Sequence, residues 1–258
     1  MTGGVLRAYE LRGGDLAAAL DWLHVHADLQ GVLEEDDRLV VWLEGELPAL
    51  PQSALRVVEL AVDPADALRT GLEDDAPILV AEDLLVRPPW VERPAGFAGI
   101  ELVVPRGDAF GSGEHGSTQA ALRCLHRLWQ DSTSVADVGT GSGILALYAS
   151  VRGCRDLQGC DIDLPSVRAA RELLPHGRFA HGGPELLAPA ACVVANMTGA
   201  ELRAAMAEIL RLWDGAGPLV LGGMRAAEVE PIAALVGSTP VHRETVGDFT
   251  SLGFGPRR

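Results

Sequence analysis

The rhythm of apolar positions changes part-way along this chain. Near the start, Val5–Leu11 alternates apolar and polar residues, the period-2 pattern of a half-buried strand. Residues Asp15–His26 then place apolar side chains at helical spacing, with Asp15 positioned to cap the first turn. The stretch from Gly31 to Leu43 predicts two strands around an acidic turn at Glu34–Asp37, and Ala54–Val62 predicts a further strand. This β-α-β-β order over residues 1–62 suits a small ferredoxin-like α+β unit. It carries no evident catalytic residue and reads as a docking module. Residues 63–96 are less regular and read as a linker. They contain an acidic stretch, Asp63–Asp75, and a proline-bounded connector, Arg87–Pro94, in which Trp90 is expected to be a packing anchor.

From residue 97 to 258 short apolar runs alternate with helical patterns. Strands are expected at Ile100–Val104, Val135–Val138, Leu157–Cys160, Ala191–Ala195 and Pro218–Gly222. Helices are expected at Ser117–Trp129, Ile144–Val151, Pro165–Leu174, Ala200–Trp213 and Ala226–Val236. Val241–Val246 and Phe249–Phe254 read as a closing hairpin. Such alternation predicts a Rossmann-like α/β domain with a mostly parallel sheet covered on both faces. Ligands of such sheets bind at the carboxyl ends of the strands. Gly139, Asp161 and Asn196 all follow expected strand ends.

The segment Asp137-Val138-Gly139-Thr140-Gly141-Ser142-Gly143 stands at one of those ends. Glycines at a sharp strand-to-helix turn let the backbone approach a ligand closely. A carboxylate at Asp137 is poorly placed for a pyrophosphate and suits a ligand with a positive centre, such as S-adenosylmethionine (AdoMet). A nicotinamide fingerprint beginning at Gly141 stays open only in its alanine variant, with Ala146 in the third position. Asp161 stands 22 residues after Gly139 at the end of the next strand, where an acidic residue binds ribose hydroxyls. Asp163 reads as a helix N-cap or a minor contributor.

A second glycine-rich loop, Gly107–Thr118, opens a helix. Phe110 could stack on an adenine or a substrate chain, and Ser117 or Thr118 could hydrogen-bond a ligand. Ser117 could equally be the N-cap. His115 could act as a base, but a lone loop histidine reads rather as a hydrogen-bonding or solvated residue, and no strong dedicated base is evident in the sequence. Asn196 offers a donor and an acceptor at the sheet edge and could orient a methyl-accepting amine.

Composition narrows the setting. The 258 residues are 48% hydrophobic and 22% charged, as in ordinary globular proteins. No apolar run is long enough for a membrane span, and the first residues lack a leader pattern, so a cytoplasmic protein is expected. Cys124, Cys154, Cys160 and Cys192 form no C-x-x-C pair and read as buried free thiols. The seven histidines are scattered, and no metal site is expected. A net charge of −15 opposes direct nucleic-acid binding and favours a basic partner. All 21 basic residues are arginine, so the chain has no ε-amine of its own.

Taken together, these residues resemble the ribosomal protein L11 methyltransferase family (PrmA). The family pattern is a G-x-A-F-G-[ST]-G-x-H-x-[ST]-T loop, then D-x-G-[CT]-G-S-G-I-L-A, then D-I-D, then V-A-N. Here these stand as Gly107–Thr118, Asp137–Ala146, Asp161–Asp163 and Val194–Asn196. The resemblance implies a seven-stranded AdoMet-dependent methyltransferase domain over 97–258, with an N-terminal substrate-recognition domain over 1–62. It implies AdoMet contacts from Phe110, Gly111, Thr118, Asp137, Gly139, Gly141, Asp161 and Asn196, with Asn196 also the catalytic residue. It further implies methylation of lysine ε-amines and the N-terminal α-amine of one basic ribosomal protein, L11, by a monomer. Glu114-His115-Gly116-Ser117-Thr118 stands where the family often has Thr-His-Pro-Thr-Thr. Met197-Thr198-Gly199 replaces the more usual Ile-Leu-Ala, and Asp63–Arg69 lacks the family's tryptophans and lysine.

Overall fold

The computed structural model describes residues 6–35, 37–50, 55–60, 76–106 and 109–257. Val5, Asp36, both ends of the expected strand 54–62, the acidic stretch 63–75 and Gly107–Asp108 lie outside the described residues. The chain divides into two compact units, residues 1–75 and 76–258.

In the first unit, β1 (Leu6–Arg12), α1 (Leu16–His26), β2 (Asp28–Glu35), β3 (Arg38–Glu44) and β4 (Arg56–Leu60) follow one another. The sheet order is β2-β3-β1-β4, with every pair antiparallel. β3 therefore inserts between β1 and β2, as in a split β-α-β unit. Helix α1 starts where the Asp15 side chain accepts a hydrogen bond from the Ala18 amide at 3.0 Å, replacing a partner the first turn lacks. In-phase side chains of β1 and β3, among them Tyr9, Leu11, Leu39, Val41 and Leu43, pack with Ala19 and Leu23 of the helix.

The second unit begins with a feature that sequence reading assigns to the linker. β5 (Ile78–Ala81) and β6 (Leu84–Arg87) form an antiparallel pair, and β6 runs parallel to β7 (Ile100–Val103). Four-residue strands broken by Pro88, Pro89 and Pro94 look irregular in sequence. Yet Val80, Leu84, Val86 and Leu102 are almost wholly buried in the domain core, so burial makes strands where length and punctuation suggest a connector. Trp90 is 44% exposed rather than a buried anchor.

The main sheet contains β8 (Ser134–Val138), β9 (Asp156–Asp161), β10 (Arg178–His181), β11 (Cys192–Asn196), β12 (Leu219–Arg225), β13 (His242–Val246) and β14 (Phe249–Phe254). Its order is β10-β9-β8-β11-β12-β14-β13. The first five strands in that order are parallel, and β14 is antiparallel to both its neighbours. Alternate residues split the core in two. Val135, Leu157 and Val194 pack with α2 (Gly116–Leu128), α3 (Ile144–Val151) and α4 (Leu164–Leu173). Ala136, Val193, Ala195 and Leu221 pack with α5 (Gly199–Leu212) and α6 (Ala226–Val236). A strand buried on both faces needs apolar residues at every position, which is why Cys192–Ala195 is an unbroken apolar run. The four cysteines are free and buried there and in the flanking helix and loop. The strand order reverses at β8, which places a crevice at the carboxyl ends of β8 and β11. Among the described residues no helix is long and apolar enough to cross a membrane.

A polar chain pins the β5–β6 turn to this core. The Tyr148 hydroxyl is 2.9 Å from His126 Nδ1, and His126 Nε2 is 2.8 Å from Asp83 Oδ1. Arg152 donates to the same hydroxyl at 3.1 Å. Tyr148→Phe strips both of these partners from a buried position, at a cost of about 1–2 kcal/mol. Urea unfolding should show that loss; an unchanged midpoint would mean the chain adds nothing to stability.

Candidate active site

The site is built from two loops that lock together. At the end of β8 the chain turns on Gly139, Gly141 and Gly143, which have φ of 69°, 52° and 87°. The Gly139 and Thr140 amides donate to the Cys160 carbonyl at 2.9 and 3.0 Å, so the turn is tied to β9. The second loop crosses over it. Ser142 donates its amide to the Phe110 carbonyl at 2.8 Å and its hydroxyl to the Gly111 carbonyl at 2.7 Å. A Cβ on Gly141 would collide with that same Phe110 carbonyl. The glycine at 141 therefore serves the close approach of the other loop as well as any ligand.

Asp137 lies beneath this junction, wholly buried. Its Oδ2 accepts from the Thr140 hydroxyl at 2.9 Å and from the Ala146 amide at 3.3 Å. Asp137 is thus not among the residues that line the cavity above it. Burial pushes its carboxyl up to about 7, against the opposing hydrogen bonds from Thr140 and Ala146.

The cavity above the strand ends has a volume of about 680 Å³. Of the residues singled out from sequence, Phe110, Gly139, Gly141, Asp161 and Asn196 line it. Gly111, whose carbonyl accepts from the Ser142 hydroxyl, is not among the lining residues. Thr118 is buried in the first turn of α2, its hydroxyl without a partner. Asp161 accepts from the Gly141 amide through Oδ2 at 2.9 Å and from the Asp163 amide through Oδ1 at 3.0 Å. Asp163 caps α4, taking hydrogen bonds from the Ser166 amide and hydroxyl at 2.9 and 2.7 Å.

Helix α2 is capped by His115 rather than Ser117. The Ser117 amide donates to His115 Nδ1 at 3.3 Å. The Ser117 hydroxyl is engaged elsewhere, 2.7 Å from the same nitrogen and 3.5 Å from Asn196 Nδ2. Asn196 Oδ1 is turned away into the wall beside Gly222 and has no hydrogen-bond partner. His115 packs between Phe110, edge-on at a centroid distance of 5.2 Å, and Phe249, tilted at 4.4 Å.

Several lining residues were not singled out from sequence, including Ile162, Met197, Glu201 and Phe249. Met197 covers Gly139: a Cβ there would meet its Cγ and Sδ at 2.8 Å. Glu201 completes the capping box of α5 with Thr198; that serine/threonine-x-x-glutamate signal is readable in sequence. Ile162 is the residue between the two aspartates and is 78% exposed. Phe249 arrives from the far C-terminal strand, and no local signal marks it.

The lining suits one kind of ligand. Among the described residues, Asp161, Asp163 and Glu201 contribute three carboxylates to the lining, and none of the lining residues is an arginine. That balance repels phosphates and favours a cation. Each Asp161 oxygen retains a free lone pair for a hydroxyl, and Ile162 and Phe110 offer apolar surface. These features fit AdoMet: a ribose at Asp161, an adenine on the apolar rim and a positive sulfur in an acidic cavity.

Comparison with known proteins agrees. Residues 32–238 match the model of the family described as ribosomal protein L11 methyltransferase (PrmA). The chain belongs to the ribosomal protein L11 methyltransferase family. A ribosomal protein L11 methyltransferase of Dechloromonas aromatica (strain RCB) is 32% identical over 213 residues, covering 77% of this chain and 72% of that one. One from Pseudomonas putida (strain GB-1) is 31% identical over 231 residues, covering 85% and 77%. The crystal structure of a ribosomal protein L11 methylase from Lactobacillus delbrueckii subsp. bulgaricus shares the fold. Its TM-score is 0.63 at 23% identity, covering 70% of this chain and 99% of that chain. Membership of this methyltransferase family makes AdoMet the cofactor.

The buried carboxyl at Asp137 makes stability depend on pH. Its folded value of about 7 lies above the unfolded value of about 4. The folded state therefore holds a proton that the unfolded state has lost, and stability falls as pH rises through that window. Asp137→Asn removes the titration. Urea unfolding between pH 4 and pH 8 should show a flatter profile in the variant than in the wild type; parallel profiles would assign the slope to other groups.

Proposed function

We propose that this methyltransferase acts on ribosomal protein L11, at lysine ε-amines and at the N-terminal α-amine. The observation that carries this reading is one cavity that joins an acidic cofactor wall, centred on Asp161, to a polar edge formed by Asn196, Ser117 and His115. The names of the relatives supply the substrate. The net charge of −15 suits a basic ribosomal protein by electrostatic steering. In this reading the small N-terminal unit recognises the substrate, and the enzyme works in the cytoplasm as a monomer without binding nucleic acid directly.

AdoMet, when bound, supplies a methyl group on a positively charged sulfur. This chain's residues do the rest. Asp161 binds the ribose hydroxyls, the two interlocked loops shape the wall, and Phe110 and Ile162 cover the adenine. Asn196 stands at the carboxyl end of β11 and orients the incoming amine through Ser117, to whose hydroxyl oxygen its Nδ2 donates. Holding the reacting groups in line supplies much of the acceleration. An ammonium cannot attack, so the amine must shed a proton first.

Transfer of tritium from labelled AdoMet to purified L11 tests the substrate. Label in L11, mapped to lysine and the N-terminus by mass spectrometry, is the expected result. Label in another ribosomal protein would replace the substrate and keep the chemistry. Two variants test the assigned roles. Asp161→Ala should weaken AdoMet binding by at least about tenfold, since the ribose loses charge-assisted hydrogen bonds; calorimetry showing equal affinity would remove Asp161 from the site. Asn196→Ala should lower turnover by roughly a hundredfold while changing AdoMet affinity by less than about threefold. Equal losses in both would place Asn196 on the cofactor alone.

A further inference from the structure

We propose that Ser117 and His115 form the route by which the acceptor amine loses its proton. The proposal rests on the reading of the site as one that methylates amines. It starts from an elimination. Among the described residues five titratable side chains line the cavity: Asp161, Asp163, Glu201, His115 and Cys160, whose thiol burial pushes up to about 12. Asp161 is held by the Gly141 and Asp163 amides, Asp163 caps α4, and Glu201 closes the capping box of α5. Each of these carboxylates is committed to backbone. His115 alone is linked through a hydroxyl to Asn196.

The direction of that link follows from its donors. The Ser117 amide can only donate, so His115 Nδ1 is an acceptor and Nε2 carries the ring hydrogen. The Ser117 hydroxyl, 2.7 Å away, is then the donor to Nδ1 and takes the larger share of its single lone pair, the amide at 3.3 Å the lesser. Asn196 Nδ2, which can only donate, points its hydrogen at Ser117 Oγ. The chain runs from Asn196 through Ser117 to His115. The remaining lone pair of Ser117 Oγ is free to accept from an ammonium placed beside Asn196.

The step balances. The ammonium N–H bond breaks as its proton passes to Ser117 Oγ, and the Ser117 proton passes to His115 Nδ1. The amine keeps its lone pair for the methyl carbon, and the net charge moves to an imidazolium. His115 is exposed to solvent, so the proton leaves from there. Among the described residues, the charged groups around His115 are Glu114, paired with Arg106, and Arg225, which lies over Phe249 and pairs with Asp248.

The test is single-turnover methylation of L11 by the AdoMet-loaded enzyme from pH 7 to pH 9.5, scored separately at ε- and α-amines. His115→Gln keeps an acceptor for the Ser117 amide but no base; Ser117→Ala cuts the relay and leaves the histidine. Both should slow ε-amine methylation at pH 7 by about a hundredfold. The deficit should shrink as pH rises toward the amine's own range, near 10.4, and be smaller for the α-amine, near 8. A lost helix cap would instead slow both amines by one factor at every pH, and that result overturns the proposal. Wild-type enzyme that methylates no amine of L11 at any pH would overturn the underlying reading, and the proposal with it. A urea midpoint for each variant, measured alongside, separates loss of fold from loss of the route.

Discussion

The buried Asp137 carboxyl is the joint on which the catalytic domain depends. One oxygen binds both the glycine turn, through Thr140, and the first turn of α3, through Ala146. Strand, turn and helix are thereby held at fixed angles by a single side chain. Charge in a fully buried position is costly, and burial accordingly holds the proton on this group to about neutral pH. The carboxyl that looks in sequence like a ligand contact does not line the cavity; it holds the turn that does.

Electrostatics at the cavity follow from what the turn exposes. Its amides are spent inward, on Cys160, Phe110 and Asp161, so the turn offers no nest of free N–H groups for a phosphate. Carboxylates occupy the rim instead. A fold shared with dinucleotide-binding proteins is turned toward a cationic cofactor by these local choices alone. The same economy holds at the opposite edge, where the cap of α2 also lines the cavity. A helix capped by His115 places Ser117 two residues later, beside the end of β11, so cap and cavity wall use one set of atoms.

Much of this was legible in the sequence. Long parallel strands buried on both faces leave unbroken apolar runs, and all five helices of the second unit begin within a few residues of their expected starts. Asp161 and Asn196 could be found because strand ends in such sheets converge on one crevice. Several things were hidden, among them the four-residue edge strand β10 (Arg178–His181). The β5–β6 pair is too short and too closely followed by prolines to show a period, and only burial against α2 and α3 makes it a strand pair. The His115 cap was hidden because serine is the commoner cap, and the competing demand on Ser117 comes from Asn196, 79 residues away. Phe249 reaches the site through tertiary packing, which leaves no mark on neighbouring residues.

Gly141 carries a consequence for how its relatives vary. Its missing Cβ is the space that the Phe110 carbonyl occupies, and its φ of 52° is one that side chains seldom adopt. The glycine fingerprint of the cofactor turn and the Phe-Gly pair of the other loop are therefore two halves of a single contact. They should be inherited together: a homologue that replaces this glycine is bound to have rebuilt the turn at Phe110 as well, and one that keeps the fingerprint after losing the second loop has lost the reason for its middle glycine.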